Sequence, residues 1–224
     1  TELAPEKRAD LFMARKMYRE AVETYELALN TETKSARLYN KLGIAYHHQI
    51  MLYQARKNYA RAVNLDNNYS QAINNLGTIY SAERKYKKAV RTYRKALKYA
   101  PQSASIYSNL GTALFARRKY KKATEAYLTA LQFDPEVFER RNSMGTLLQS
   151  RTVTDRAQYY YFMAKAYAAA EIYDRALLNL RRAIEEGYTK LNRLPKEPVF
   201  EPLLENAEFQ ALLHPGEQRA ELQP

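Results

Sequence analysis

Several kinds of chemistry are missing from this sequence. It has no cysteine, which excludes disulfides and thiol catalysis and leaves the compartment open. It has only three histidines. His47 and His48 are adjacent, so on a helix their rings point about 100° apart and cannot chelate one ion together. With no E-x-x-H, H-E-x-x-H or C-x-x-C arrangement, neither a metal nor a cofactor is expected. Its six glycines are scattered, so there is no glycine-rich phosphate loop. No apolar run approaches the roughly 18 residues of a membrane span. Paired carboxylates such as Glu185-Glu186 or Asp134 with Glu136 fall at helix ends or in turns, and no acid, base and nucleophile converge, so a non-enzyme is expected. The chain begins at Thr1 rather than Met. An upstream segment lost by processing or by design accounts for that, and the reading is a soluble protein, cytoplasmic or exported.

What is present is periodicity. From Asn74 to Pro101 the apolar and small residues fall at Leu76, Ile79, Tyr80, Tyr86, Ala89, Val90, Tyr93, Ala96 and Leu97, in steps of three and four within each half. That is the period of an amphipathic helix. A polar break between Ser81 and Lys85 divides two helices, each too short to shelter its apolar face alone. Neighbours supply the shelter. Gly43, Gly77, Gly111 and Gly145 recur every 34 residues; so do Ala21, Ala55, Ala89 and Ala123, and Tyr25, Tyr59, Tyr93 and Tyr127. Small residues let backbones approach while Tyr fills the adjoining volume, the alternation by which facing helices interdigitate.

A 34-residue period carrying L-G-x-x-Y, A-x-x-x-Y-x-x-A and then Pro resembles the tetratricopeptide repeat family. Tyr39, Ile73 and Tyr107 stand where that family usually has Trp. The fold expected is all-α: a right-handed superhelical solenoid of stacked helix-turn-helix repeats. The units read as about 2–35, 36–69, 70–103 and 104–137, then an inserted helix 138–156 and a last unit 157–190. The last unit follows a change of phase. Residues Arg156 to Ala170 suit either the second helix of a fifth repeat (Ala157, Tyr161, Ala164) or a first helix (Met163, Ala164, Tyr167) partnered by Tyr173, Ala176, Leu180 and Ala183. The latter is favoured because Tyr173 and Ala176 repeat the Y-x-x-A spacing of Tyr86 and Ala89. Thr154 or Asp155 is the expected N-cap, and Gly187 a C-cap. The proline-bearing segment Lys190 to Pro202 reads as a loop. Residues 191–213 read as that loop and a capping helix, with Phe200, Leu203, Phe209, Leu212 and Leu213 covering the last apolar face. Residues 214–224 read as a disordered tail.

Binding is better supported than catalysis. One face of each repeat's first helix is not used against its partner helix. It carries Gln71, Asn74, Asn75, Thr78 and Ser81 in one repeat and Ser105, Ser108, Asn109, Thr112 and Phe115 in the next. Arg37, Asn40, Lys41 and His47 precede them, and Glu139, Asn142, Ser143 and Thr146 follow. Asn offers both donor and acceptor, so such a row can pair with the backbone of an extended peptide without reading its side chains. The candidate groove residues are Asn40, Asn74, Asn75, Thr78, Ser108, Asn109, Thr112 and Asn142. The resemblance implies that this face lines a concave groove, and that Asn two residues before the glycine, here Asn75 and Asn109, contacts the ligand backbone. Lys41 and Ser143 depart from that pattern. Asn40 and Ile44 stand where some members carry the Lys and Asn of a carboxylate clamp. The expected partner is therefore a protein or peptide, with weak self-association through a tail in the groove as a further reading.

The alternative lies in the charge. Net charge is +12, and from Arg84 to Lys98 there are eight basic residues and no acidic one. Lys87, Arg91, Arg94, Lys95 and Lys98 form a stripe that either solvates an outer face or binds nucleic acid or anionic membrane. Tyr86, Tyr93 and Tyr99 are expected on or near the packing side, which leaves the stripe without stacking platforms.

Overall fold

A computed structural model describes residues 3–139 and 153–214. All regular elements among them are helical: α1 Pro5–Ala14, α2 Tyr18–Thr31, α3 Ala36–His48, α4 Leu52–Leu65, α5 Ser70–Ala82, α6 Tyr86–Leu97, α7 Ala104–Ala116, α8 Tyr120–Phe133, α9 Val153–Ala169, α10 Tyr173–Glu185, two 3₁₀ turns at Leu191–Lys196 and Pro198–Leu203, and α11 Ala207–Leu213. They fall into two compact units, Thr1–Ala113 and Leu114–Pro224, whose boundary lies within α7.

In the first unit each helix packs on the next in sequence from α1 through α6. The small-and-large alternation seen in the sequence sets the spacing. A Cβ built on Gly43 would stand 2.6 Å from Tyr59 Cε1, and one on Gly77 2.6 Å from Tyr93 Cε1, so both positions require hydrogen. Tyr59 and Tyr93 are almost wholly buried against these two glycines. Tyr25, and Tyr127 in the second unit, are buried as deeply. Between Leu65 and Ser70 the chain turns on Asp66, whose Oδ1 accepts from the Asn68 N–H at 2.9 Å.

The first helix of each pair ends in the same way. Lys16, Ile50, Arg84, Arg118 and Glu171 adopt φ of 60°, 62°, 58°, 58° and 61°. Each donates its N–H to the second-last helical carbonyl, and the next residue donates to the third-last; for α3 these bonds are Ile50 N to His47 O at 2.9 Å and Met51 N to Tyr46 O at 3.0 Å. This is a Schellman closure made without glycine. Among the described residues only Gly187, at φ 93° after α10, is the residue type such a position favours.

In the second unit α9 packs on both α8 and α10, with Met163, Ala164 and Tyr167 buried on α9 and Ala176, Leu180 and Ala183 on α10. Here the structure corrects two expectations. The helix begins at Val153, so Thr154 and Asp155 are helical residues and not its N-cap. Residues 190–202 are not an open loop: Pro198 opens the second 3₁₀ turn, where a missing N–H costs little, and Pro195 and Pro202 lie inside the two turns. The turns bury Leu194, Phe200 and Leu203, while Phe209 of α11 is fully buried and Leu212 and Leu213 half-buried. The inserted-helix expectation falls mainly on residues 140–152, outside the described residues, as does the tail from residue 215; Phe138 and Glu139 lie in a turn.

Candidate functional site

The candidate face is built on α3, α5 and α7, and the closing residues at their ends give it a common register. Lys41, Asn75 and Asn109 each lie nine residues before the left-handed residue of their helix. Each reaches back to the preceding first helix. Lys41 Nζ donates to Glu6 Oε1 at 2.8 Å, Asn75 Nδ2 to Asn40 Oδ1 at 2.9 Å, and Asn109 Nδ2 to Asn74 Oδ1 at 3.1 Å. The acceptor is 35 residues earlier in every case. The amides therefore stitch successive helices together. An Asn side chain carries two donors and two acceptor lone pairs, and each rung uses one donor of one partner and one lone pair of the other.

This geometry sorts the expected groove residues. Asn74, Asn75, Thr78, Asn109 and Thr112 are half-buried, held in place with part of their surface open. Asn40 and Ser108 are buried at 2% exposure each, so they do not line an open surface. Asn40 instead donates to the Tyr69 hydroxyl at 3.4 Å and accepts from Asn75. Ser81 is also buried, against the Tyr93 hydroxyl at 3.3 Å. Phe115 is core, packed against the rings of Tyr120, Tyr159 and Phe162. Asn142 lies outside the described residues. Thr78 Oγ1 donates to Asn74 O at 3.3 Å and accepts from the Tyr93 hydroxyl at 3.3 Å, tying the surface row to the core Tyr beneath it.

The first rung is ionic. Lys41 Nζ also reaches Asp10 at 2.7 Å, Arg37 pairs with Glu6, and the Tyr25 hydroxyl donates to Asp10 at 2.5 Å. Burial pushes the Asp10 carboxyl up, but hydrogen bonds from Lys41 and Tyr25 outweigh it and the net shift is downward. Lys41 answers in kind: burial pushes it down, its bonds to Asp10 and Glu6 overcome that, and it ends above its ordinary value. Both shifts hold the pair charged. His47 is pushed down by burial and by its neighbour His48, which stacks on Tyr18 with ring centroids 4.6 Å apart. Among the described residues no group of three His, Asp or Glu side chains is placed to hold a metal ion. None of their helices is long and apolar enough to cross a membrane.

On α6 Lys87, Arg91 and Arg94 are exposed and Lys95 half-buried, Lys98 at its C-cap is exposed, and among the described residues none of the five has an ion-pair partner. Glu83, the nearest carboxylate in sequence, is held by Arg56 at 3.2 Å and Lys85 at 2.7 Å. Tyr93 is buried and Tyr86 half-buried, while Tyr99, expected on or near the packing side, is 43% exposed just after the last turn of α6.

Residues 74–137 match the tetratricopeptide repeat family. No curated protein matches the sequence. Three solved structures illustrate the likeness. MamA shares 19% identity over 80% of this chain and 93% of its own, with a TM-score of 0.57. YrrB, described as a tetratricopeptide repeat protein with an unusual peptide-binding site, shares 18% over 82% of this chain and 84% of its own, at 0.55. PilF of Pseudomonas aeruginosa shares 16% over 97% of this chain and 96% of its own, at 0.61. At such identities the likeness is one of fold.

Proposed function

From the premise that the chain carries tetratricopeptide repeats, a fold of protein-interaction scaffolds, we propose that it is a non-catalytic adaptor holding an extended segment of a protein partner against Asn74, Asn75, Thr78, Asn109 and Thr112. One observation carries this reading. The rungs Asn75–Asn40 and Asn109–Asn74 fix half-buried amides in position while leaving them hydrogen-bonding capacity. A backbone segment meeting fixed donors and acceptors loses less free energy to side-chain ordering than one meeting mobile ones. The row is uncharged, so it suits peptide N–H and C=O groups more than a carboxylate or phosphate. The peptide-binding description of YrrB agrees with this use of the fold.

The test is to select binders to the full chain from a library of random unstructured peptides and map their protection by amide exchange. The reading expects protection over 74–81 and 108–113. Protection confined to 84–98 would assign binding to the basic stripe of α6 instead.

A further inference from the structure

The register that aligns α3, α5 and α7 also aligns α9. Counting back from their left-handed residues, Tyr161 and Lys165 lie ten and six before Glu171, as Asn74 and Thr78 lie ten and six before Arg84. On α9 these two positions are already occupied. The Tyr161 hydroxyl donates to Glu197 Oε1 at 2.8 Å and Lys165 Nζ to Glu197 Oε2 at 2.6 Å, one donor to each carboxylate oxygen. Tyr188 stacks flat on Tyr161, with centroids 4.6 Å apart and planes 15° off parallel. Lys165 Nζ lies 5.7 Å from the Tyr161 ring centre. Beyond Glu197 the chain runs Pro198-Val199-Phe200, lies against α9 through its second 3₁₀ turn, and buries Phe200 completely.

We propose that Glu197–Leu203 is a ligand built into the chain: it fills the partner-binding register of α9, and the site it fills recognises a glutamate-proline segment with an aromatic residue three positions after the glutamate. The inference rests on reading the first-helix polar face as the binding surface. The recognition is chemically distinct from that on α5, where Asn74 and Thr78 present no charge. On α9 a phenol and an ammonium take a carboxylate, proline keeps the following backbone out of a continuous α-helix, and the buried ring supplies the apolar anchor. Partner segments are thereby confined to the rows on α5 and α7, and α9 opens only to a segment of the same chemistry.

The experiment supplies that segment in trans. A fluorescent peptide of residues 188–213 is titrated against the full chain, its Glu197→Lys variant, and a charge-swapped Glu197→Lys/Lys165→Glu chain. The wild-type chain is expected to bind weakly, because the tethered copy competes at high effective concentration. Glu197→Lys, which sets two cations face to face, is expected to free the site and bind the peptide about tenfold more tightly. The charge-swapped chain is expected to close on itself again and lose that gain. Amide exchange of 188–203 in Glu197→Gln gives an independent readout in a milder variant: it should quicken while exchange in α5 stays the same. Equal peptide affinity in all three chains, or unchanged exchange in Glu197→Gln, overturns the proposal. Since the probe is the chain's own segment and the readout is α9, failure here leaves the reading of Asn75 and Asn109 untouched, and failure there leaves this result standing.

Discussion

At the residue scale, two positions carry opposite and testable liabilities. Gly77 has no room for a methyl group: a Cβ at 2.6 Å from the Tyr93 ring forces the ring or the helix to move. Gly77→Ala gains up to about 1 kcal/mol of helix propensity and loses about 1–3 kcal/mol to overpacking. Denaturant unfolding is expected to show a net loss, with an unchanged m-value. Ile50 is the converse case. It is β-branched, 80% exposed and held at φ 62°, a conformation costing roughly 1–2 kcal/mol for an L-residue. Ile50→Gly loses no packing and is expected to stabilise by about 1 kcal/mol after the entropy cost of glycine, read as a higher midpoint in the same titration. The core tyrosines offer a paired comparison. The Tyr93 hydroxyl meets Thr78 and Ser81, whereas among the described residues Tyr59 has no such partner, Ile44 standing where Thr78 does. Tyr93→Phe is expected to cost about 1 kcal/mol and Tyr59→Phe close to nothing.

At the element scale, the helix pairs were legible because their cause is local. Gly43 and Tyr59, or Gly77 and Tyr93, recur in phase, and one contact repeated at a fixed interval implies the next. What escaped reading was what periodicity does not encode. The left-handed closures at Lys16, Ile50, Arg84, Arg118 and Glu171 carry no glycine, so the usual residue signal is missing, although their 34-residue spacing over the first four was available. The burial of Asn40 goes with its bond to Asn75, 35 residues on, and an amide looks the same in sequence whether it faces water or another amide. The 3₁₀ turns were hidden by prolines that normally announce a loop. Those turns also predict a pH response. Burial pushes Glu197 up, but bonds from Lys165 and Tyr161 outweigh it, and its carboxyl lies below the ordinary 4.5. A group depressed in the folded state contributes stability above its unfolded value and loses it as pH falls through the folded one. Exchange of amides 188–203 is therefore expected to quicken only below about pH 4.5, and in Glu197→Gln it should already be fast at neutral pH.

At the scale of the whole molecule, the proposed amide row and the basic stripe are told apart by salt. The net charge of +12 and the stripe of Lys87, Arg91, Arg94, Lys95 and Lys98 would favour a polyanion. Such binding is recognisable because counterion release makes affinity fall steeply with salt; five phosphate contacts give a log–log slope of about −4 to −5. Binding of an uncharged extended segment to the amide row is expected to stay nearly flat across the same titration. The most direct test is the affinity of such a peptide for the full chain against Asn75→Ala/Asn109→Ala, with helicity and unfolding midpoint measured alongside. A loss of about tenfold or more, at about 1 kcal/mol per backbone bond, in a variant that remains helical and folded is the predicted result. Unchanged affinity in that folded variant would contradict the account.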